Sequence, residues 1–115
     1  MKIAILENND SLRVAIGLIL KSHGFYTEEY DNPDQFLKSI DSQAIPDLLI
    51  SDIHLTEISG LDVLRIVKEK HPQTQVVIMT GNSSQSLKDK ARLLGAKAFL
   101  EKPFEASQLL ETINK

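Results

Sequence analysis

Four places along this sequence carry side chains that could do chemistry together: a Glu7-Asn8 pair, Asp52, Thr80 and Lys102. Each closely follows a short apolar run, at "KIAIL" (2–6), "DLLIS" (47–51), "QVVIM" (75–79) and "KAFL" (97–100). Carboxylates offer hard oxygen ligands or a nucleophile, an ammonium neutralises charge, and a hydroxyl donates a hydrogen bond. Gathered in one place they would suit a metal or a phosphoryl group. Singly they are bland, since a lone Asp or Asn after a strand ordinarily forms a turn or caps a helix. Complementary groups at four strand ends are harder to read that way.

What must position them is legible as an alternation of two patterns. A fifth, weaker run, "FYTEEY" (25–30), carries polar residues that suit a half-exposed edge strand. The near-continuous apolar runs suit a sheet covered on both faces. Between them lie helical periods. Leu12, Ala15, Ile16 and Ile19 form one stripe, with Asp10 or Ser11 as N-cap and Gly24 just past its end. Pro33 leads a short helix bearing Phe36, Leu37 and Ile40. Leu61, Leu64 and Val67 follow Ser59 and precede Pro72. Leu87, Ala91 and Leu94 follow the cap candidates Ser83 and Ser84 and stop at Gly95, and Ala106, Leu109, Leu110 and Ile113 form the last stripe. The order predicts a single α/β domain over residues 1–115, a doubly wound (βα)₅ with a five-stranded parallel sheet and right-handed crossovers. In such sheets the ligand crevice lies beyond the carboxyl ends of the strands, where the four groups fall.

The bulk properties narrow the function classes. The 115 residues are 42% hydrophobic and 25% charged, an ordinary balance for a globular domain with its own core. Thirteen basic against sixteen acidic residues give a net charge of −3, so nothing electrostatic points to nucleic acid. With no cysteine, disulfides and thiolate metal sites are excluded, which suits the cytosol. The first apolar run is far too short for a signal h-region or a membrane span. There is no internal repeat and no low-complexity linker.

The order and spacing of the strand-end residues resemble the receiver domain of two-component response regulators, from Met1 to the end of the chain. The family pattern is an acidic pair after the first strand, Asp after the third, Thr or Ser after the fourth and Lys-Pro after the fifth. Here it reads Glu7-Asn8, Asp52, Thr80 and Lys102-Pro103, with Gly60 and Phe99 at the family's glycine and aromatic positions. The resemblance implies a flavodoxin-like strand order, 2-1-3-4-5. It also implies that Asp52 is the nucleophile, taking a phosphoryl group from the phosphohistidine of a sensor histidine kinase or phosphotransfer protein. Such transfer calls mainly for positioning and charge neutralisation. Mg²⁺ held by Glu7, Asn8, Asp52 and the backbone carbonyl of His54 would supply charge. Lys102 would pair with Asp52 before transfer and with the phosphoryl group after it, aimed inward by a cis bond to Pro103. Thr80 would donate to the phosphoryl group and Phe99 would turn inward behind it. The surface of the fourth helix, fifth strand and fifth helix would change with them and serve a homodimer or an effector domain. Plain core packing is the competing role for Phe99. The implied setting is cytoplasmic, with no direct nucleic-acid binding, no membrane contact and no enzyme activity beyond the domain's own phosphorylation and dephosphorylation.

The sequence departs from the family where the second acid is expected. Arg13 matches a frequent family Arg in the first helix and anchors the alignment, so Asn8 takes that place and Asp10 is left to cap the helix. Asn8 keeps an oxygen ligand but loses a charge. A unit pair at ~4 Å and an effective dielectric of about 20 is worth ~4 kcal/mol before desolvation, and an amide is cheaper to dehydrate than a carboxylate. Weakened Mg²⁺ binding is expected, not its abolition. Leu55-Thr56 stands where Met-Pro is common, and His54 reads either as an exposed loop residue or as a proton-transfer group.

Three other functions compete. A receiver-like domain working by constitutive contacts, with weak or no phosphorylation, is motivated by Asn8. A haloacid-dehalogenase-type phosphatase is motivated by "DIHLT" (52–56), which has Asp52 and Thr56 but His54 in place of the second Asp. A flavin site would need phosphate-cradling donors after the first strand, where Glu7 would repel phosphate. The cognate kinase, the output and the oligomeric state are not encoded in these motifs, and any effector domain lies outside this chain.

Overall fold

The computed structural model describes residues 1–42, 44–55, 57–82 and 84–114. Thr56 of the phosphatase-like motif and the cap candidate Ser83 lie outside the described residues. Each apolar run becomes a strand: β1 Lys2–Leu6, β2 Tyr26–Tyr30, β3 Leu48–Asp52, β4 Gln75–Thr80 and β5 Ala98–Glu101. They alternate with α1 Asp10–Ser22, α2 Pro33–Asp41, α3 Gly60–Lys70, α4 Gln85–Leu93 and α5 Ala106–Asn114. Every pairing is parallel and the order is β2-β1-β3-β4-β5, the flavodoxin-like order expected. The chain starts at β1, winds out to the edge at β2 and crosses back to β3. The switch point therefore lies between β1 and β3, and their carboxyl ends flank the crevice.

Side-chain alternation along the strands builds two cores. Ala4, Leu6, Leu49, Val76 and Ile78 pack with Phe36, Ile40, Val63, Leu64, Val67 and Ala91 from α2, α3 and α4. Ile3, Ile5, Leu48, Ile50, Val77 and Met79 pack with Ile16, Leu20, Leu109 and Ile113 from α1 and α5. This double coverage explains why β1, β3 and β4 read as unbroken apolar runs. β2 is the polar, half-exposed edge that its sequence indicated.

Two details bear on the site. The N-cap of α1 is Asn9, not Asp10 or Ser11: Asn9 is extended (φ −80°, ψ 111°) and its side chain accepts from the Leu12 N–H at 3.0 Å. Asp10 is instead the first helical residue, where a carboxylate favours the positive helix end. Asp52 and Thr80, expected just after their strands, are the last residues of β3 and β4. Their side-chain directions are thus set by the sheet and not by a loop.

Candidate functional site

Glu7 leaves β1 with its N–H donating to the Tyr30 carbonyl at 3.1 Å, and its side chain is buried. Asp52 pairs with Met79 and Thr80 with Glu101 in the ladder, which brings the tips of β3, β4 and β5 to one edge. Lys102 follows β5 through a cis peptide to Pro103, as the resemblance implied. Its Nζ lies 2.6 Å from Glu7 Oε1 and 3.3 Å from Asp52 Oδ1. The expected Lys102–Asp52 contact is present, but the shorter contact is to Glu7. One ammonium therefore serves two buried carboxylates.

The other oxygen of Glu7, Oε2, accepts from the Asn9 N–H at 2.9 Å. Thr80 is fully buried, and its Oγ1 accepts from the Asn82 N–H at 3.1 Å. Asn8 and His54 are exposed at the rim, and the His54 backbone N–H donates to the Asp52 carboxylate. Gly60 is explained by crowding: a Cβ there would collide with the Asp52 carbonyl oxygen and Ile53 Cα. The Gly60 N–H donates to the Ile53 carbonyl at 2.8 Å, so α3 begins directly against the residue that carries the carboxylate.

Burial pushes the Asp52 carboxyl above the ordinary carboxylate range, and the neighbouring Glu7 charge pushes it the same way; Lys102 and the His54 N–H oppose both. A group whose ionisation is opposed by burial and by a like charge marks a candidate reactive site. The oxygen set also fits a hard cation. Two carboxylates stand together, the second raises the cost of ionising the first, and Mg²⁺ is commonly held by one or two carboxylates with waters and a phosphate completing its shell. Among the described residues no group of three or more His, Cys, Asp or Glu is placed to hold a metal.

Phe99 sits half-buried on β5, packed against the core beneath α4, and borders a cavity of about 80 Å³ with Ala91 and Lys88 of α4. The Lys88 ammonium is 5.9 Å from the ring centroid and 2.8 Å from Glu101 Oε1. Two contributors escaped the sequence reading, which used Arg13 only to align the loop and did not use Glu29. Arg13 donates to the Glu7 carbonyl at 2.8 Å and approaches Glu29 on β2. The available signal was Gly17 at mid-helix, an unfavourable residue there without a packing reason.

Comparison with known proteins agrees with this geometry. The response regulator receiver domain family matches residues 3–114. The chemotaxis protein CheY of Bacillus subtilis is 32% identical over 99% of this chain and 95% of its own length. The DNA-binding transcriptional regulator NtrC of Proteus hauseri is 30% identical over 96% of this chain, which spans only 23% of that protein. The CheY-like response regulator receiver domain protein of Methanospirillum hungatei shares the fold with a TM-score of 0.92 at 24% identity, over 98% of this chain and 90% of its own. With a family match that runs almost end to end, this chain belongs to the response regulator receiver domain family of two-component systems.

Proposed function

We propose that this domain is a phosphoacceptor switch in which Asp52 takes a phosphoryl group from a phosphohistidine on a sensor histidine kinase or phosphotransfer protein. The observation that carries the proposal is the Lys102 ammonium shared between Glu7 and the buried Asp52. A carboxylate oxygen of Asp52 attacks phosphorus, the P–N bond breaks, and its electron pair leaves on the imidazole, which takes a proton from solvent. Asp52 is held for in-line attack by the end of β3 and by the His54 N–H. Lys102 gives up a carboxylate contact for a phosphoryl oxygen, a short exchange of partners for a flexible ammonium. Thr80 gives up the Asn82 N–H and donates its hydroxyl to the phosphoryl group. Glu7, Asn8, Asp52 and the His54 carbonyl would hold Mg²⁺, which supplies positive charge to the transferring oxygens.

Movement of Thr80 frees space for Phe99 and alters the α4–β5–α5 surface, where an effector domain or a second copy would engage. We assign no reaction beyond the domain's own phosphorylation and dephosphorylation, no direct nucleic-acid binding, no membrane contact, and a cytoplasmic setting. Asn8 favours a second reading, a receiver that works through constitutive contacts. One experiment separates the two: incubation with a small acyl phosphate and Mg²⁺, followed by peptide mapping. Label on Asp52, absent from the nearly isosteric Asp52→Asn variant, is the expected result. A fully folded protein that takes no label, or takes it equally in Asp52→Asn, overturns the phosphoacceptor role.

A further inference from the structure

The tip of β1 is held from behind by a network that the phosphoacceptor chemistry itself does not use. Arg13 lies in the first turns of α1 with its side chain only 14% exposed. One terminal nitrogen donates to the Glu7 carbonyl at 2.8 Å, the other to Asp10 Oδ1 at 2.7 Å, and Nε stands 3.7 Å from Glu29 Oε1. A planar fork of donors can meet three acceptors from three segments at once, which a Lys ammonium cannot reproduce. Glu29 projects from β2 beside Ile5 and is also 3.8 Å from Lys21. Its carboxylate occupies the room left by Gly17, where a Cβ would come within 2.8 Å of Glu29 Oε2. Glycine inside a helix is unfavourable relative to Ala. Here it lets α1 approach the carboxylate that orients Arg13.

The contact to the Glu7 carbonyl has consequences for both proposed ligands. The peptide bond is planar, so fixing that carbonyl fixes the plane that starts Asn8. The Glu7 N–H is held by Tyr30 and its side chain by the Asn9 N–H, so the residue is held at both ends. A guanidinium this close to a cation site would repel the cation if left bare, but Asp10 and Glu29 neutralise it. We propose that Arg13, oriented by Glu29 over Gly17, is the positioning residue for the Glu7–Asn8 cation loop. This rests on the phosphoacceptor reading above.

The test is a Mg²⁺ titration of the metal-free domain followed by backbone amide shifts, run on the parent, Arg13→Lys and Glu29→Gln. Loss of a residue that orients a ligand commonly costs 10- to 100-fold in metal affinity. We expect the half-saturating Mg²⁺ concentration to rise about tenfold in Arg13→Lys, on the low side of that range, and to a smaller degree in Glu29→Gln. In acyl-phosphate labelling, the rate at saturating Mg²⁺ should stay near the parent's while its Mg²⁺ requirement rises. In the metal-free protein the Asn9 amide should exchange faster with solvent. A purely structural role would lower the melting temperature and leave the Mg²⁺ midpoint alone. Should Arg13→Lys fail to fold, Glu29→Gln and Gly17→Ala carry the test. Midpoints within twofold of the parent in the folded variants overturn the positioning role alone. A parent that takes neither Mg²⁺ nor label overturns the functional reading and this proposal with it.

Discussion

The two flanks of the crevice are built differently. On one, α1 buries Ile16, Gly17 and Leu20 against the sheet and is tied to β1 and β2 through Arg13 and Glu29. On the other, α4 buries only Ala91 among the described residues, Leu93 is 86% exposed, and about 80 Å³ of cavity lies against Phe99. A groove of about 290 Å³ runs along the α5 side of the same ring. Elements with few buried apolar contacts move at low cost, whereas packed and cross-linked ones do not. Under the proposed phosphoacceptor role, the difference supports a division of labour: the α1 flank would fix the charges that bind and react, and the α4 flank would be free to report that they have.

The largest test of this contrast is core truncation. Leu20→Ala should cost about 2–5 kcal/mol, since a fully buried leucine leaves both lost burial and a cavity. Leu93→Ala should stay within about 0.5 kcal/mol. Denaturant midpoints of the two variants measure it, and equal losses would erase the distinction between the flanks.

Adding or removing a carboxylate at the crevice is the next test. Asn8→Asp should lower metal-free stability by about 1 kcal/mol, the lower end of Coulomb repulsion at ~4 Å, because Asn8 is exposed. Mg²⁺ should reverse the loss by binding the folded state, and should bind more tightly than to the parent. Asp52→Asn works in the opposite direction. Because the folded-state pKa of Asp52 lies above its unfolded value, ionising it costs stability at neutral pH and nothing once it is protonated in both states. The metal-free variant should therefore be more stable than the parent at pH 7. Its advantage should shrink as pH falls through the raised pKa and vanish below about pH 4, the ordinary carboxylate range. Melting curves across pH check both variants, and a gap independent of pH would contradict the burial and Glu7 repulsion assigned to Asp52.

The smallest effect belongs to Lys88. Lys88→Met should change stability by under ~1 kcal/mol, since a partly exposed cation–π contact and surface ion pair are each weak. It should nevertheless move the Phe99 ring resonances. Unmoved ring signals would mean that Lys88 does not restrain the ring.

Much of this was legible in the residues. β1, β3 and β4 announce themselves because a strand buried on both faces has to be apolar throughout; Glu7, Asp52 and Thr80 stand where those runs turn polar, and Lys102 stands just past the shorter run of β5. The α1 cap falls at Asn9, ahead of both Asp10 and Ser11, because all three residue types suit that position and only backbone geometry separates them. The sharing of Lys102 was hidden for another reason. Residues 7 and 102 stand 95 apart in sequence, and only the side-chain reach of Glu7 places its Oε1 nearer to Nζ than Asp52. Glu29 was unreadable in its role because an edge strand carries polar residues for ordinary solvation.

The division between the flanks is tested most directly by amide shifts of the ¹⁵N-labelled domain before and after adding beryllofluoride, a phosphoryl mimic for Asp52, with Mg²⁺. We expect shifts at Thr80, Asn82, Lys88, Ala91 and Phe99, with Ile16, Gly17, Leu20 and Glu29 near their starting positions. Shifts of equal size along α1 and β2, with α4 unmoved, would contradict the assignment of one flank to holding and the other to reporting.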